Sequence, residues 1–249
     1  MNVILCGACG KMGAYVSSLA EENGAKIVCG VDRFPKESPF PVYPSFDLVT
    51  ERADVVIDFS GNEDVESRLA FCKNRGVNIV LASTGFSEND QKIIQRYAKS
   101  IAIFQTGNLS LGINLLQLLV KKAAQILGDG FDAEIIERHH NQKKDAPSGT
   151  ALMLAKSIQE GSENSKTFVY GRKGNVGARE KSEIGIHAVR GGTIVGEHEV
   201  CFAGEDEIIT LSHSARSRKI FANGALKAAK WLIGKQAGIY DMSDFFAQI

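Results

Sequence analysis

Three glycines near the N-terminus are the feature that most restricts how this chain can fold. Gly7, Gly10 and Gly13 follow an apolar run at residues 3–5 and precede a segment whose apolar residues recur at helical spacing. Glycine allows a tight turn from a strand into a helix, and it lets a phosphate approach the unpaired N–H groups at the start of that helix. The spacing therefore predicts a strand, a turn and a helix that together bind a phosphate.

Strand and helix patterns continue to alternate through the N-terminal part of the chain. Short β-branched runs are separated by segments with apolar residues at every third or fourth position. This alternation predicts βαβ units and a doubly wound parallel sheet of the Rossmann type. Ser87 and Asp90 have the spacing of a helix N-cap. The predicted strands are residues 3–5, 26–31, 55–59, 77–81 and 101–104, and the predicted helices are residues 13–22, 63–74 and 89–99.

The pattern changes after Ser110. A long amphipathic segment reaches residue 127, and later strand-like runs follow one another with only turns between them. Consecutive strands predict an open antiparallel or mixed sheet, so the chain is expected to be α/β with a second, α+β domain. The Gly-rich, charged segment 171–181 is expected to be a mobile loop. The predicted strands of this part are residues 133–138, 184–189, 193–200 and 207–211, and a helix follows at residues 221–233.

An acidic residue is expected near the ribose of a bound dinucleotide. Asp32 ends the second predicted strand, at the distance from Gly13 that is typical of nicotinamide-nucleotide sites. Its carboxylate can accept hydrogen bonds from both ribose hydroxyls of NADH, whereas the guanidinium of Arg33 can pair with the 2′-phosphate of NADPH. The cofactor is therefore predicted to be NADH or NADPH. An alternative is that the glycines only form a turn and Asp32 only caps a surface segment.

The charge balance and the number of cysteines indicate which partners the protein can bind and in which cell compartment it lies. Twenty-nine Lys and Arg balance twenty-nine Asp and Glu, which provides no general basic surface for nucleic acid or an anionic membrane. Five cysteines are an odd number, which favours a reducing compartment, and the N-terminus lacks the pattern of a signal peptide. We expect a cytoplasmic protein that binds neither nucleic acid nor membranes.

Cys6 and Cys9 form a C-x-x-C pair. Such a pair can be a redox centre or half of a zinc site, but no second pair exists in the sequence to complete a metal site. Both are interpreted as small apolar residues, and Cys9 is open to reaction because it lies near a helix N-terminus. We therefore predict no bound metal.

Residues 137–151 carry the densest set of candidate catalytic groups. Two histidines and two lysines precede a turn, and Ser148 has the position of an N-cap for a helix that begins near Thr150. The N–H groups of Ser148, Gly149 and Thr150 would form a nest for a carboxylate, together with the Thr150 hydroxyl. Lys143 would lie close to that nest. This arrangement predicts a small anionic substrate.

Motifs spread over nearly the whole chain can be compared with known families. They are G-A-x-G-x-M-G at residues 7–13, V-I-D-F-S at 56–60, S-T-G-F at 83–86, N-x-S-x-G-x-N at 108–114, H-H-x-x-K-x-D-A-P-S-G-T-A at 139–151, and further matches at 185–199 and 217–225. Together they resemble the dihydrodipicolinate reductase family, more fully the 4-hydroxy-tetrahydrodipicolinate reductases. The segment 139–151 is specific enough to indicate that family by itself.

The resemblance implies two domains, a homotetramer and a reaction. Residues 1–109 and 218–249 would form a dinucleotide-binding domain, and residues 110–217 a domain for substrate binding and oligomerisation. The implied reaction is transfer of a hydride from NADH or NADPH to a cyclic imine dicarboxylate, with loss of water, which gives tetrahydrodipicolinate in the diaminopimelate route to lysine. Two alternatives stay open, namely a reductase of another imine or amino acid, similar to aspartate dehydrogenase, and a dinucleotide sensor without turnover.

The resemblance also implies roles for individual residues. His139 would donate the proton that quenches charge on the ring, since an imidazolium with an ordinary pKa of about 6.5 is a suitable acid. Lys143 would assist and bind substrate, His140 would contact one carboxylate, and Gly149 with Thr150 would hold the other. The predicted contacts to the dinucleotide are Gly7, Ala8, Cys9, Gly10, Lys11, Met12, Asp32, Arg33, Ala82, Ser83, Thr84, Thr106, Gly107, Asn108 and Leu109.

Some residues depart from the family or receive a structural interpretation. Family members often have G-T-T and A-P-N-F where this chain has residues 82–84 and 106–109, which changes a loop beside the nicotinamide. Three strand-borne histidines are interpreted as packing or surface residues rather than ligands. Arg190 has three open interpretations: closure over the substrate, a subunit contact or a plain turn. The three histidines are His187, His198 and His213.

Overall fold

A computed structural model of the chain describes residues 1–248. The strands are β1 (Asn2–Cys6), β2 (Lys26–Val31), β3 (Val42–Tyr43), β4 (Val55–Asp58), β5 (Asn78–Leu81), β6 (Ala102–Gln105), β7 (Asp132–His139), β8 (Thr167–Tyr170), β9 (Glu183–Arg190), β10 (Gly196–Ala203), β11 (Ile208–Ala215) and β12 (Gly238–Tyr240). The helices are α1 (Lys11–Leu19), α2 (Val65–Arg75), α3 (Glu88–Tyr97), α4 (Leu111–Leu127), α5 (Gly149–Gly161), α6 (Lys219–Leu232) and α7 (Met242–Phe246).

The chain divides into two compact units. The first consists of Met1–Ser110 with the described part of Arg218–Ile249, and the second consists of Leu111–Ser217. Each unit has its own sheet and its own apolar core. No helix in residues 1–248 is long and apolar enough to cross a membrane.

The first unit contains a seven-stranded sheet in the order β12-β6-β5-β4-β1-β2-β3, and every strand pair is parallel. The strand order reverses between β1 and β4, so the crevice for a ligand lies at the carboxyl ends of these strands. Helices α2 and α3 pack on one face, where Ile4, Val56, Ile79 and Ile103 are at most 1% exposed. Helix α6 packs beside α1 and against β4, β5 and β6. This arrangement confirms the predicted doubly wound sheet.

Local sequence explains where two of these helices begin and end. Ser87 Oγ accepts a hydrogen bond from Asp90 N–H at 3.2 Å, and the Asp90 carboxylate accepts one from Ser87 N–H at 2.8 Å. This capping box confirms the predicted start of α3. Helix α2 ends at Arg75 and is capped by Gly76, whose φ of 63° is a left-handed conformation that glycine adopts without strain.

The second unit contains a five-stranded sheet in the order β11-β10-β7-β9-β8. Strand β10 pairs antiparallel with β11 and β7, while β9 pairs parallel with β7 and β8. Helices α4 and α5 pack on one face, over a core that includes Val120, Leu154 and Ile135. Side chains alternate along β7, so Glu137 and His139 lie on the same face as Ile135. The predicted open mixed sheet is confirmed.

The sequence pattern does not predict β3, β8, β12 or α7. Strands β3 and β12 have only two and three residues, which is too few for a periodicity to be visible. The strand expected at residues 193–200 begins instead at Gly196, because residues 191–195 form the turn from β9 to β10.

The loop at residues 171–181 also differs from its predicted character. It contains neither helix nor strand, as expected, but it is tied to the sheet. Arg172 donates two hydrogen bonds to the Glu134 carboxylate at 3.0 and 2.9 Å, and Arg179 donates another at 2.9 Å. Glu134 lies on the face of β7 opposite Ile135, so charged contacts hold a loop that was expected to be mobile.

Candidate functional site

The glycine loop lies between the end of β1 and the start of α1. Gly7 has a φ of 72°, and a Cβ on Gly13 would lie 2.4 Å from the carbonyl oxygens of Gly7 and Ala8. Only glycine fits at these two positions, because the helix packs directly on the turn. Gly10 is the N-cap residue of α1, and no side chain among residues 1–248 caps that end of the helix. The first N–H groups of α1 can therefore bind a phosphate.

Asp32 directly follows β2 and is fixed by two backbone N–H groups. Cys9 N–H donates to its Oδ2 at 3.0 Å, and Phe34 N–H donates to its Oδ1 at 3.0 Å. The carboxylate thereby ties the glycine loop to the end of β2, which gives Asp32 a structural role. Each oxygen keeps a further lone pair with which it can accept a hydrogen bond from a ribose hydroxyl.

Arg33 is an exposed cation beside Asp32. It pairs with Glu63 at 3.0 Å, and the two side chains are 74% and 75% exposed. An exposed ion pair contributes little to stability, so Arg33 can leave Glu63 for a phosphate. Lys11 and Met12 are the first two residues of α1. These charges are compatible with either nicotinamide nucleotide.

A cleft of about 720 Å³ lies next to Asp32 and Arg33. Its volume is in the range of small-molecule sites. Phe46 and Phe71 line it, and their ring centroids are 4.7 Å apart. Sequence reasoning missed this cleft, since its aromatic walls come from a short 3₁₀ turn and from α2, neither of which carries a binding motif.

A buried ion pair shapes the loop beside this cleft. Asp58 ends β4 with no exposed surface, and its Oδ2 lies 2.8 Å from Arg68 Nε. Burial raises the pKa of Asp58, although Arg68 and hydrogen bonds from Ser60 oppose that shift. Arg68 also donates to the carbonyl oxygens of Gly61 and Glu63 at 2.9 and 2.6 Å. The pair therefore fixes the loop that follows β4.

The two segments expected beside the nicotinamide follow β5 and β6. Ser83 Oγ accepts a hydrogen bond from Gly61 N–H at 3.0 Å, and Thr106 Oγ1 donates to the Asn108 carbonyl at 3.1 Å. The carboxyl ends of parallel strands meet at one edge of a sheet, so both segments lie on the same edge as the glycine loop. The predicted residues placed there are Ala82, Ser83, Thr84, Thr106, Gly107, Asn108 and Leu109.

In the second unit, His139 ends β7 and is 8% exposed. Its Nδ1 lies 2.6 Å from Oε2 of Glu137, two residues earlier on the same strand face. Burial lowers the pKa of His139, while the Glu137 carboxylate opposes that shift. The resting ring is therefore less basic than the ordinary histidine assumed from the sequence, and a dianionic substrate beside it would raise the pKa again.

Glu137 is the residue that sequence reasoning missed. It is 0% exposed, and it accepts hydrogen bonds from Arg190 Nη1 and Nη2, both at 2.8 Å, and from Ser148 N–H at 3.0 Å. Burial raises the pKa of Glu137, but these donors and His139 outweigh it and hold the pKa below its usual range. The carboxylate is therefore ionised at neutral pH. The sequence contained one signal for this contact. Glu137 precedes His139 by two residues on a predicted strand, and residues at that spacing lie on the same face.

Arg190 has a structural role that none of the three sequence-based interpretations included. Its guanidinium pairs with both oxygens of Glu137 and also donates to the Asp145 carbonyl at 2.7 Å. Because Arg190 ends β9 and Glu137 lies on β7, the bidentate pair joins two neighbouring strands to the loop before α5. Arg190 acts in this unit as the counter-ion of a buried carboxylate.

Helix α5 begins at Gly149, one residue before the predicted start. Ser148 Oγ accepts a hydrogen bond from Ala151 N–H at 3.1 Å, which confirms the predicted N-cap. Ser148 N–H is not part of the expected carboxylate nest, because it donates to Glu137. A Cβ on Gly149 would meet no atom within 4 Å, so there is space beside the start of the helix. The nest is therefore reduced to Gly149 and Thr150.

The loop between β7 and α5 carries the remaining candidates. Lys143 Nζ lies 2.8 Å from Asp145 Oδ2, and the lysine side chain is 20% exposed. This lysine lowers the pKa of Asp145. His140 directly follows His139, and its carbonyl accepts a hydrogen bond from Lys143 N–H at 3.2 Å. Two imidazoles and an ammonium group thus lie within five residues, at the end of β7 and on the loop that follows it.

His198 packs against His139. The sequence pattern indicates that His198 is a packing or surface residue but does not predict this contact with His139. The ring centroids are 5.1 Å apart with an interplanar angle of 75°, and His198 Nε2 lies 3.0 Å from Ser148 Oγ. Burial lowers the pKa of His198 to about 3, and the nearby His139 adds to the shift. His198 is therefore neutral at physiological pH and supports the cap of α5.

The cysteines show no arrangement that would bind a metal. All five are free, and within residues 1–248 no three His, Cys, Asp or Glu side chains are grouped as metal ligands. Burial raises the pKa of the Cys6 thiol, which suits a small apolar packing residue. Cys9 is only partly buried and lies in the glycine loop.

Comparison with known proteins gives consistent matches over nearly the whole chain. The family model "Dihydrodipicolinate reductase, N-terminus" matches residues 1–109, and "Dihydrodipicolinate reductase, C-terminus" matches residues 112–246. A 4-hydroxy-tetrahydrodipicolinate reductase of Caldanaerobacter subterraneus subsp. tengcongensis is 51% identical over 245 residues, which cover 98% of this chain and 97% of the relative. The enzyme of the same name from Clostridium novyi is 48% identical over 247 residues, with the same coverage of 98% and 97%.

A solved structure is also similar to this chain. It is the dipicolinate-bound dihydrodipicolinate reductase from Paenisporosarcina sp. TG-14, with a TM-score of 0.78 and 26% sequence identity. The match covers 97% of each chain, so it includes both sheets.

Proposed function

The chain belongs to the dihydrodipicolinate reductase family, and from this premise we propose that it reduces 4-hydroxy-tetrahydrodipicolinate to tetrahydrodipicolinate with NADH or NADPH. The resemblance read from the sequence motifs is confirmed by the family models and by relatives that match nearly the whole chain. The chain is an NAD(P)H-dependent oxidoreductase, and its reaction belongs to the diaminopimelate route to lysine.

One structural observation supports the chemistry most directly. The proposed proton donor and the proposed carboxylate nest are joined by a single buried carboxylate, because Glu137 contacts both His139 and Ser148, the residue before the nest. A ring held by its carboxylate at Gly149 and Thr150 would therefore meet an acid of fixed position. Such fixed geometry is what acid catalysis requires.

The first unit fits a dinucleotide. Gly7 and Gly13 have no room for a Cβ, as expected where a backbone must approach a pyrophosphate, and Asp32 keeps lone pairs for a ribose. When it is bound, the dihydronicotinamide supplies the hydride. The proposed contacts of this unit are the glycine loop, Asp32, Arg33 and the segments 82–84 and 106–109.

The second unit supplies the groups that bind and protonate the substrate. His139 directs Nδ1 at Glu137, so its imidazolium form presents the second N–H at Nε2, and that proton quenches the charge left on the substrate ring after hydride addition. Gly149 and Thr150 bind one carboxylate through the start of α5. His140 contacts the other carboxylate.

Lys143 neutralises a substrate carboxylate and the charge that develops during the reaction. In the structure its partner is Asp145, at 2.8 Å. Asp145 is 60% exposed at its side chain, so water can replace the lysine when the substrate arrives. The loop thus holds the lysine through an exposed carboxylate and does not bury an unpaired charge.

We extend the proposal to a homotetramer assembled through the second unit. Helices α4 and α5 pack on one face of its sheet, and no helix of this unit packs on the other face. Ile136 lies on that face between Glu134 and Arg138, and its apolar side chain would gain free energy from burial against a second subunit. Residues 110–217 then bind substrate and oligomerise, while residues 1–109 and 218–249 bind the dinucleotide.

The proposed compartment is the cytoplasm. All five cysteines are free, which is the state that a reducing compartment maintains. The reaction also needs reduced nicotinamide nucleotides and a biosynthetic intermediate as substrates, both of which belong to intracellular metabolism.

The experiment that tests the function is steady-state oxidation of NADH and of NADPH by the purified protein. The substrate is generated in the same cuvette by dihydrodipicolinate synthase from pyruvate and aspartate semialdehyde. We expect dihydronicotinamide absorbance to fall only when the synthase is present, and the two rates rank the cofactors. No loss with either nucleotide, in a folded protein that binds one of them, would contradict the proposal and favour a reductase of another imine or a dinucleotide sensor.

A further inference from the structure

A single buried carboxylate organises the second unit's candidate site. Glu137 is 0% exposed and receives four donors or ring nitrogens within 3.0 Å, from His139, Ser148 and both terminal nitrogens of Arg190. A carboxyl group in such a place would remain protonated and unpaired without its cation. Burial of an ionised carboxylate is costly, so we expect a role of Glu137 beyond packing.

We propose that Glu137 is the positioning residue of this reductase: it holds His139 with Nδ1 protonated, so that Nε2 is the atom that exchanges a proton with the substrate. The proposal rests on the proposed function, in which His139 is the proton donor. An ionised carboxylate only accepts hydrogen bonds, so the ring atom 2.6 Å from Glu137 Oε2 must carry a hydrogen. Neutral His139 is then the Nδ1–H tautomer, and the imidazolium presents its second N–H at Nε2.

The surroundings of Nε2 agree with this orientation. Gly196, the first residue of β10, lies beside the ring, and a Cβ at that position would be 3.0 Å from His139 Nε2. Any larger residue would crowd the atom that the proposal assigns to proton transfer. The fixed carboxylate on one side of the ring and a glycine on the other side leave one productive ring orientation.

Arg190 keeps the positioning group charged. Its two terminal nitrogens donate to the two oxygens of Glu137 at 2.8 Å each, which is a bidentate pair. The same guanidinium binds the Asp145 carbonyl, at the turn that leads to α5. Glu137 Oε1 also accepts a hydrogen bond from the Ser148 N–H. The same carboxylate therefore positions both His139 and the residue before the carboxylate nest.

A purely structural ion pair between β7 and β9 is the competing interpretation. It predicts that loss of Glu137 lowers stability and activity together. A positioning role predicts in addition a changed tautomer of His139 and a changed pH dependence of kcat. Because the carboxylate raises the pKa of His139, removal of its charge should lower that pKa and move the alkaline loss of kcat to lower pH.

The first measurement uses the wild-type protein. The chain has five histidines, so ¹⁵N and ¹³C labelling of histidine gives five imidazole signals by solid-state NMR. The His139 signal is identified by its loss in His139→Gln. We expect neutral His139 to be the Nδ1–H tautomer, and an Nε2–H tautomer would overturn the proposal whether or not the protein proves to be this reductase.

The second measurement compares Glu137→Gln with the wild type. We expect kcat to fall by at least about tenfold, because His139 loses the carboxylate that holds its ring. The alkaline limb of the pH profile of kcat should move to lower pH. Gln can still accept the Ser148 N–H, so the Kd for dipicolinate should stay within about threefold of the wild-type value. Glu160→Gln is the matched control, since Glu160 is an exposed carboxylate that pairs with Lys121 far along α5.

The outcomes separate the two proposals. An active wild type whose Glu137→Gln variant keeps its kcat and pH profile retains the function and overturns the role of Glu137. An inactive wild type counts against the proposed function, and the tautomer measurement then decides the role of Glu137 independently. If Glu137→Gln does not fold, Glu137→Asp keeps the charge and shortens the reach, and we expect it to restore the pH profile but not the full kcat.

Discussion

His139 and His198 lie edge to face with ring centroids 5.1 Å apart, but only His139 has a carboxylate against its ring. Two cationic imidazoles at this distance would repel each other, and burial lowers the pKa of both, that of His198 to about 3. Glu137 opposes the shift at His139. The pair therefore contains one imidazole whose positive charge a neighbouring carboxylate stabilises and one that stays neutral at physiological pH.

Alanine at His139 or at Lys143 should lower kcat by about 10²-fold or more, the range observed when a general acid or an electrostatic partner is removed. Lys144→Ala is the matched control, because Lys144 follows Lys143 in the same loop and is exposed. Steady-state kinetics with the coupled synthase measures all three variants. Near-wild-type turnover in both His139→Ala and Lys143→Ala would remove these residues from the mechanism.

Gly13→Ala should weaken dinucleotide binding and stability together. The new Cβ would lie 2.4 Å from the carbonyl oxygens of Gly7 and Ala8, which are backbone atoms of the phosphate-binding turn. Overpacking of this kind costs about 1–3 kcal/mol, so we expect a lower Tm and an NADH Kd raised by about tenfold. In the control Gly130→Ala the Cβ would meet nothing within 4 Å. Thermal unfolding measures the Tm and NADH fluorescence titration measures the Kd. An unchanged Kd would show that NADH binding does not depend on this packing.

The features predicted from the sequence depend on residues that are close together in the chain. The glycine loop, the Ser87–Asp90 capping box and the Ser148 cap all lie within a few residues, so spacing alone indicates their geometry. The missed contacts depend on the pairing of distant strands. His139 lies opposite Arg190 in the β7–β9 register, and Glu137 lies opposite His198 in the β10–β7 register. No local pattern specifies such a register before the sheet is known.

The same reason explains two further differences. Strand β12 pairs with β6 although about half of the chain separates the two strands, and its three residues carry no periodicity. Segment 171–181 has the glycines and charges of a mobile loop, but the contacts of its arginines with Glu134 need the neighbouring strand β7 in place. The composition of a segment predicts that it is a loop, but it does not predict which distant residues the loop contacts.

Glu134 makes stability depend on pH. Burial raises its pKa, but hydrogen bonds from two arginines and His187 outweigh burial and lower the pKa from 4.5 to about 2. A carboxylate whose pKa is lower in the folded state stabilises that state fully above its unfolded pKa, and the contribution is lost as the pH falls toward the folded value. With the side chain 22% exposed, we expect roughly 1–3 kcal/mol of stabilisation at neutral pH.

The measurement is the free energy of urea unfolding for the wild type and Glu134→Gln. The difference between them should be constant at neutral pH and should shrink from about pH 5 to about pH 3.5, before general acid unfolding begins. Glu160→Gln controls for the loss of an exposed carboxylate. A difference that does not change over this interval would mean that the charged network around Glu134 does not stabilise the folded state.

Ile136→Glu should disrupt the proposed tetramer. The residue lies on the sheet face of the second unit on which no helix packs, where a subunit contact would bury the new carboxylate at a cost. Light scattering should give about four times the chain mass of 26.9 kDa for the wild type and a lower value for the variant. Ile126→Glu is the control, since Ile126 is 71% exposed on α4. A monomeric wild type at micromolar concentration would reject the tetramer itself.

Cofactor preference depends on charges next to the ribose, and Arg33 and Glu63 allow it to be tested. Arg33→Ala should raise the KM for NADPH by about tenfold and change that for NADH by less than about twofold, because only NADPH has a 2′-phosphate to pair with the guanidinium. Glu63→Gln should lower the KM for NADPH, since it releases Arg33 from a competing carboxylate at 3.0 Å. Arg52→Ala is the matched control, because Arg52 is exposed and does not line the cleft. Equal changes for both nucleotides in Arg33→Ala would place Arg33 outside the 2′-phosphate site and leave Asp32 as the residue that favours NADH.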